Sequence, residues 1–224
     1  MRTFALLLAS LLVLPATLPA QTVHPLTGRR IAPAMDPAGA DWLDRSEREK
    51  EEHPEAALDA IGIQQGMIVA DVGAGTGYIT VKVARRVGPA GKVYAEDVQP
   101  EMLDRVRDNS ASAHLNNIEE VLGSEADPRL PPGKLDLILL IDVYHEFSQP
   151  EKMLQALRRA LKSDGRLVLL EYRKEDPSIP IQPDHKMSIA DAETEVEAEG
   201  FRLDRLIDTL PRQHLFIFRK ALTQ

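Results

Sequence analysis

The sequence predicts an α/β fold built on a mostly parallel sheet. Two observations carry that expectation. From Met67 onward, short apolar runs alternate with segments of helical spacing, the pattern of parallel strands joined by crossover helices. The first run ends in an acid and a glycine-rich turn, Asp71-Val72-Gly73-Ala74-Gly75-Thr76-Gly77, before helical spacing resumes. Strand, glycine turn and helix together form a ligand-binding unit of such sheets. A chain of 224 residues suits one domain with a sizeable core.

Residues 1–20 read as an export signal. Met1-Arg2 is a short basic start, Phe4 to Leu14 is apolar, and Pro15 to Ala20 is small and turn-prone. The apolar run is shorter than the ~20 residues that a membrane-spanning helix needs. Cleavage is expected after Ala20, giving a periplasmic or secreted product with no stable membrane anchor. Residues 21–56 form an N-terminal arm, rich in Pro, Gly and Ala, followed by a charged helix. That helix is predicted over Trp42–His53, with Asp41 as N-cap and Pro54 as stop. Its dense charge predicts a solvated face with pairs such as Arg45–Glu49. The sharper alternative is a lid over a pocket, with Trp42 and Arg45 or Arg48 facing in.

Residues 57–224 form the main domain. Leu58–Ile63 reads as the end of a helix. Strands are predicted at Met67–Asp71, Lys92–Asp97, Ile118–Leu122, Leu135–Asp142 and Arg166–Tyr172, with a closing pair at Phe201–Leu210 and His214–Lys220. Helices are predicted at Tyr78–Val87, Pro100–Ala113, Glu151–Leu161 and Ser188–Glu199. Leu135–Asp142 is long and apolar, which suits a strand covered on both faces. The closing pair is joined by Pro211-Arg212-Gln213. That link is too short for a parallel crossover, so the last strand should run antiparallel.

Composition narrows the function. The net charge of −8 argues against a general nucleic-acid binder, because an acidic chain repels phosphate. The absence of cysteine excludes disulfides, thiolate metal sites and a cysteine nucleophile.

The glycine turn separates two ligand classes. Its spacing is G-x-G-x-G, whereas the dinucleotide fingerprint is G-x-G-x-x-G. Asp71 immediately before it disfavours a pyrophosphate and favours a ligand carrying sulfonium and ammonium groups. The second strand ends in Glu96-Asp97, where such folds place a carboxylate that accepts from ribose hydroxyls.

These pieces resemble the class I S-adenosylmethionine-dependent methyltransferases. The glycine turn is similar to their first motif. Val93-Tyr94-Ala95-Glu96-Asp97-Val98 is similar to their second, and Ala160-Leu161-Lys162-Ser163-Asp164-Gly165 to their turn into strand five. His24-Pro25-Leu26, Trp42-Leu43-Asp44-Arg45 and Tyr144-His145-Glu146-Phe147 resemble an exported bacterial subgroup, and the overall pattern is similar to methyltransferases of small molecules. The resemblance implies a Rossmann-like seven-stranded sheet of order 3-2-1-4-5-7-6 and an S-adenosyl-L-methionine cofactor at the strand carboxyl ends. It implies cofactor contacts from Asp71, Gly73, Gly75, Gly77, Asp97, Val98 and Asp142. After strand three this chain reads Gly123-Ser124-Glu125-Ala126-Asp127-Pro128, where the family usually has Gly-Asp-Ala. The acid for the adenine is then Asp127 or Glu125, with Asp127 favoured, or backbone groups serve in its place.

The acceptor side is expected after strand four, in Asp142-Val143-Tyr144-His145-Glu146. His145 has the pKa to take a proton from a hydroxyl, amine or thiol acceptor. Tyr144 stands beside it as a second catalytic candidate. His185 follows strand five and His214 begins the last strand, so both are expected in the same pocket, with Trp42 closing over a small-molecule acceptor. Three histidines meeting Glu146 or Glu171 would make a metal site or a polar substrate pocket, and the sequence assigns no metal. The competing function is a protein that binds the cofactor without turnover.

Overall fold

The computed structural model describes residues 23–221. The export signal and its cleavage point lie outside the described residues.

Seven strands form one sheet in the order β3-β2-β1-β4-β5-β7-β6. They are β1 (Ile68–Val72), β2 (Lys92–Asp97), β3 (Ile118–Leu122), β4 (Leu135–Ile141), β5 (Leu161–Tyr172), β6 (Phe201–Ile207) and β7 (Gln213–Lys220). β1 pairs in parallel with β2 and β4, β2 with β3, and β4 with β5. β7 runs antiparallel to both β5 and β6, as its short connection requires. The order is the one that the methyltransferase resemblance implies. β5 begins five residues before the predicted Arg166. Its pairing with β4 starts at Leu135–Leu161 and shifts register before Leu137–Arg166, so the expected Ser163–Gly165 turn sits inside an irregular strand.

Alternation along β1 and β4 divides the core between the two faces of the sheet, because side chains on a strand point alternately up and down. Ala70, Ile138 and Leu140 pack with Leu154 and Leu157 of α5 (Pro150–Ala160) and Val196 of α6 (Ile189–Ala198). Val69, Leu137 and Leu139 pack instead with Leu58 and Ile61 of α2 (Pro54–Ile61) and Val83 and Val87 of α3 (Tyr78–Val87). Helix α4 (Pro100–Ser112) lies against β2 and β3. Ser188 caps α6 by accepting from the Asp191 N–H at 3.1 Å.

The charged segment departs from its prediction. There is no single helix over Trp42–His53. A 3-10 helix over Pro37–Asp44 is capped by Asp36, and α1 (Arg48–Glu52) follows after a break. Pro54 starts α2 instead of merely ending the preceding helix. A proline lacks the N–H that is in any case unpaired in a first helical turn, so it suits that place. The solvated-face expectation is also corrected. Arg48 and Glu52 are buried and joined by a 2.7 Å hydrogen bond. Arg45 pairs with Glu51 and Glu52, not with Glu49, which accepts instead from Tyr78 and Lys82.

The arm is anchored over the sheet. Arg29 donates to both carboxylate oxygens of Glu195 on α6, at 3.0 and 2.9 Å, and to the backbone carbonyl of His145 at 3.2 Å. The Ala32 N–H donates to that same carbonyl at 3.0 Å. The arm is thus tied to the turn after β4, which carries the site.

Candidate functional site

A cavity of about 1140 Å³ opens at the carboxyl ends of β1, β2, β4 and β5, between the sheet and the arm. Sheets of this topology offer such a crevice because their loops diverge there.

The glycine turn forms one wall. Gly73, Gly75 and Gly77 have φ of 70°, 56° and 83°, a left-handed region that side chains with a Cβ enter at a cost. A Cβ on Gly73 would fall 2.3 Å from Cγ2 of Val143, so the turn also packs closely against the loop after β4. Gly73 and Gly75 line the cavity. Gly77 faces Val106 of α4, so its part is to admit the helix and not to touch a ligand. Asp71 accepts from the Thr80 hydroxyl at 2.6 Å. Burial raises its pKa to about 6.

Asp97 sits where β2 ends. Its two carboxylate oxygens accept from the backbone N–H groups of Gly75 and Gln99, at 2.9 and 3.0 Å. These bonds fix the carboxylate beside the glycine turn and leave lone pairs for a ligand. Burial pushes the Asp97 pKa up. Glu96, immediately before it, is raised further, to about 8, by burial and then by the charge of Asp97. Val98 lines the same wall and is partly exposed.

Asp142 closes the far end of this wall at φ 51°. Gln213 donates to both its oxygens, at 2.9 and 2.8 Å. Burial, followed by repulsion from Glu52, raises its pKa to about 8. Arg48 also lines the cavity, with Nη2 at 3.8 Å from Asp142. Trp42 lines the mouth, and the Arg45 guanidinium lies 3.6 Å from its ring centroid.

Glu125, not Asp127, reaches the cavity wall after β3. Asp127 is turned into its own loop, where its carboxylate accepts from the Arg129 N–H at 2.8 Å. The expectation that favoured Asp127 is corrected accordingly.

The acceptor end brings together fewer residues than expected. His145 is buried, and Nδ1 lies 2.6 Å from Oε2 of Glu171 on β5. Burial opposes its charge, but Glu171 more than offsets this and its pKa lies above the ordinary histidine value. His145 Nε2 lies 3.1 Å from Nδ1 of His185, which a short 3-10 turn, Pro183–His185, carries to the cavity. Burial and the neighbouring His145 lower the His185 pKa. Glu146 is raised to about 7, chiefly by burial. Among the described residues, His145, Glu146 and His185 bring ring nitrogens and a carboxylate oxygen within 4.8 Å of one another.

Two expected members are elsewhere. Tyr144 points into the core, fully buried, with its ring 5.6 Å from the Arg29 guanidinium. The 3-10 turn Tyr144–Glu146 sends His145 and Glu146 to the cavity and leaves Tyr144 on the side packed against the core. His214 pairs in register with Glu171, but its ring is held by Asp208 at 3.0 Å and Glu175 at 2.9 Å, off the cavity wall. Its place on the correct sheet edge was readable from the sequence, and its direction was not.

Residues 63–206 match a family model described as a methyltransferase domain. The chain belongs to this methyltransferase family. It is 32% identical over 118 residues to the ubiquinone/menaquinone biosynthesis C-methyltransferase UbiE of Escherichia fergusonii, a match covering 52% of this chain. It spans about half the length of that relative, 47%. Among solved structures it is similar to a SAM-dependent methyltransferase from Aquifex aeolicus, with 30% identity and a TM-score of 0.78. That match covers 83% of this chain and 98% of the other. A TehB-like SAM-dependent methyltransferase from Corynebacterium glutamicum shares the fold at 18% identity and a TM-score of 0.62, covering 83% of this chain and all of the other. In this methyltransferase-family chain the matched region spans the glycine turn, Asp97, Asp142 and the His145–His185 pair.

Proposed function

We propose that the protein is an S-adenosylmethionine-dependent methyltransferase of a small-molecule acceptor, exported to the periplasm or beyond and belonging to the exported bacterial subgroup. The observation that carries this reading is one continuous cavity holding the glycine turn and Asp97 at one end and His145 with His185 at the other. Its residues suit a cationic adenosyl ligand. Asp71, Asp97 and Asp142 line its wall, and a cationic ligand there would draw these buried carboxyl groups into their charged form. Gly75 lines the cavity without a side chain, and a Cβ there would lie 2.8 Å from Leu43 Cδ1, so only the bare backbone leaves space for a ligand.

Asp97 would accept from the ribose hydroxyls, the backbone of Gly73 and Gly75 would lie against the amino-acid portion, and Glu125 would serve the adenine side. When bound, the cofactor supplies an electrophilic methyl group on a sulfonium. The protein then needs to align an acceptor and exclude water. His145, held in orientation by Glu171, and His185 present ring nitrogens where an acceptor O–H or N–H would be bound. Residues 31–35 of the arm and Trp42 cover the opening, limiting acceptors to molecules that fit the cavity.

A screen of pooled small-molecule acceptors with methyl-labelled S-adenosylmethionine tests the reading. Label should appear in at least one acceptor. His145→Ala should cut that turnover by about a hundredfold or more, while cofactor affinity stays within about twofold. Cofactor binding without transfer to any acceptor would favour a binding protein of the same fold.

A further inference from the structure

We propose that His145, His185 and Glu146 bind a divalent transition-metal ion at the acceptor end of the cavity. The three ligand atoms are already converged. His145 Nε2 lies 3.1 Å from His185 Nδ1, and each lies 3.8 Å from Oε1 of Glu146. A point equidistant from all three is about 2.1 Å from each, which matches zinc bonded to imidazole nitrogen and carboxylate oxygen.

The surrounding groups complete a metal site. Glu171 lies 2.6 Å from His145 Nδ1. A proton on Nδ1 facing that carboxylate would leave the Nε2 lone pair for an ion, the carboxylate–histidine arrangement that orients metal-bound imidazoles. Glu171 is itself held, accepting from the Tyr144 N–H at 2.9 Å. The elements that deliver the ligands are fixed as well. The His145 carbonyl accepts from Arg29 and Ala32 of the arm, and the His185 N–H donates to the Gln182 carbonyl at 3.0 Å. His185 is the most exposed of the three, with 30% of its side chain open to solvent, so an ion has a way in.

Two histidines and one carboxylate suit the borderline divalent ions, such as zinc, iron(II) and cobalt(II), better than magnesium or calcium. Three protein ligands leave coordination positions free, as in catalytic metal sites, and the cavity is lined by all three residues. A free position there would take an oxygen of the acceptor. The ion would lower the pKa of a bound hydroxyl or enol, so that His145 would assist proton loss as a ligand of the ion and not as a free base. This last step rests on the methyl-transfer reading; the metal site does not.

The test is titration of the full chain, stripped with a chelator, with Co²⁺ alone. We expect one ion per chain and visible absorption bands from a cobalt ion with nitrogen and oxygen ligands. His185→Ala and Glu146→Gln should each weaken binding at least a hundredfold. Glu171→Gln, which touches no metal, should weaken it about 10- to 100-fold. His114→Asn, at an exposed histidine remote from the cavity wall, should change nothing. A chain that takes up no ion, or that binds equally well as His185→Ala, overturns the site. Circular dichroism of each variant separates lost ligands from lost folding. Cofactor titration of the stripped chain keeps the two readings apart. Cobalt uptake without S-adenosylmethionine binding would sustain the metal site and defeat methyl transfer, and the reverse result would do the opposite.

Discussion

Glu96→Gln should flatten the loss of stability between about pH 4.5 and pH 8. Glu96 is 1% exposed, and among the described residues its Oε1 has no hydrogen-bond partner. Gly123 presses on it so closely that a Cβ there would lie 1.7 Å from that oxygen. Burial, then the charges of Asp97, Asp127 and Asp71, raise its pKa from 4.5 to about 8, with only the Gly73 backbone opposing. A carboxyl group raised on folding binds its proton more tightly in the native chain than in the unfolded one. Its contribution is therefore fully present below about pH 4.5 and is lost as pH rises to about 8. That interval corresponds to on the order of 5 kcal/mol, or up to ~1.4 kcal/mol per pH unit. A domain is stable by only about 5–15 kcal/mol in total, so the slope should be measurable. Urea unfolding at pH 5, 7 and 9 gives the comparison. A glutamine cannot ionise, so the variant should gain on the parent by about 3–5 kcal/mol between pH 5 and pH 9. The pH dependence is the readout, because any fixed cost of the amide cancels in it. Parallel curves for the two proteins would refute the reasoning and mean that Glu96 is ionised in the folded chain at neutral pH.

Glu195→Ala leaves the Arg29 guanidinium buried without its carboxylate; it should cost about 3–5 kcal/mol in chemical denaturation and expose the arm to limited proteolysis. Gly75→Val forces a branched side chain into φ 56° and against Leu43; the chain should stay folded by circular dichroism while cofactor binding is lost to calorimetry.

Much of the fold was legible because its signals are local. β2, β3 and α3 fall on their predicted bounds, since apolar runs are short and bracketed by Gly, Pro or charge. The antiparallel last strand followed from a three-residue link. The solvated-face reading of the charged segment failed because helical spacing of charge looks the same whether a face is wet or buried, whereas the alternative that turned Trp42 and Arg48 inward matches their place on the cavity wall. Arg48 is buried only because Glu52 and Asp142 surround it, and Asp142 is 94 positions away in the chain. The glycine turn and Asp97 were readable as a motif. Tyr144 and His214 were placed in the pocket on topology, which gives the sheet edge but not the direction of a side chain. The partnership of Arg29 with Glu195, 166 residues apart, left no trace in local pattern.

Calorimetric titration of the full chain with S-adenosylmethionine, set beside the same titration of Asp97→Ala, is the most direct measurement. The structure predicts one site per chain, competed by the demethylated product. Removing the carboxylate that Gly75 and Gln99 hold in place should weaken it by about 1–3 kcal/mol, roughly 5- to 150-fold. No binding by the parent chain, or equal binding by Asp97→Ala, would contradict the assignment of this cavity to the cofactor.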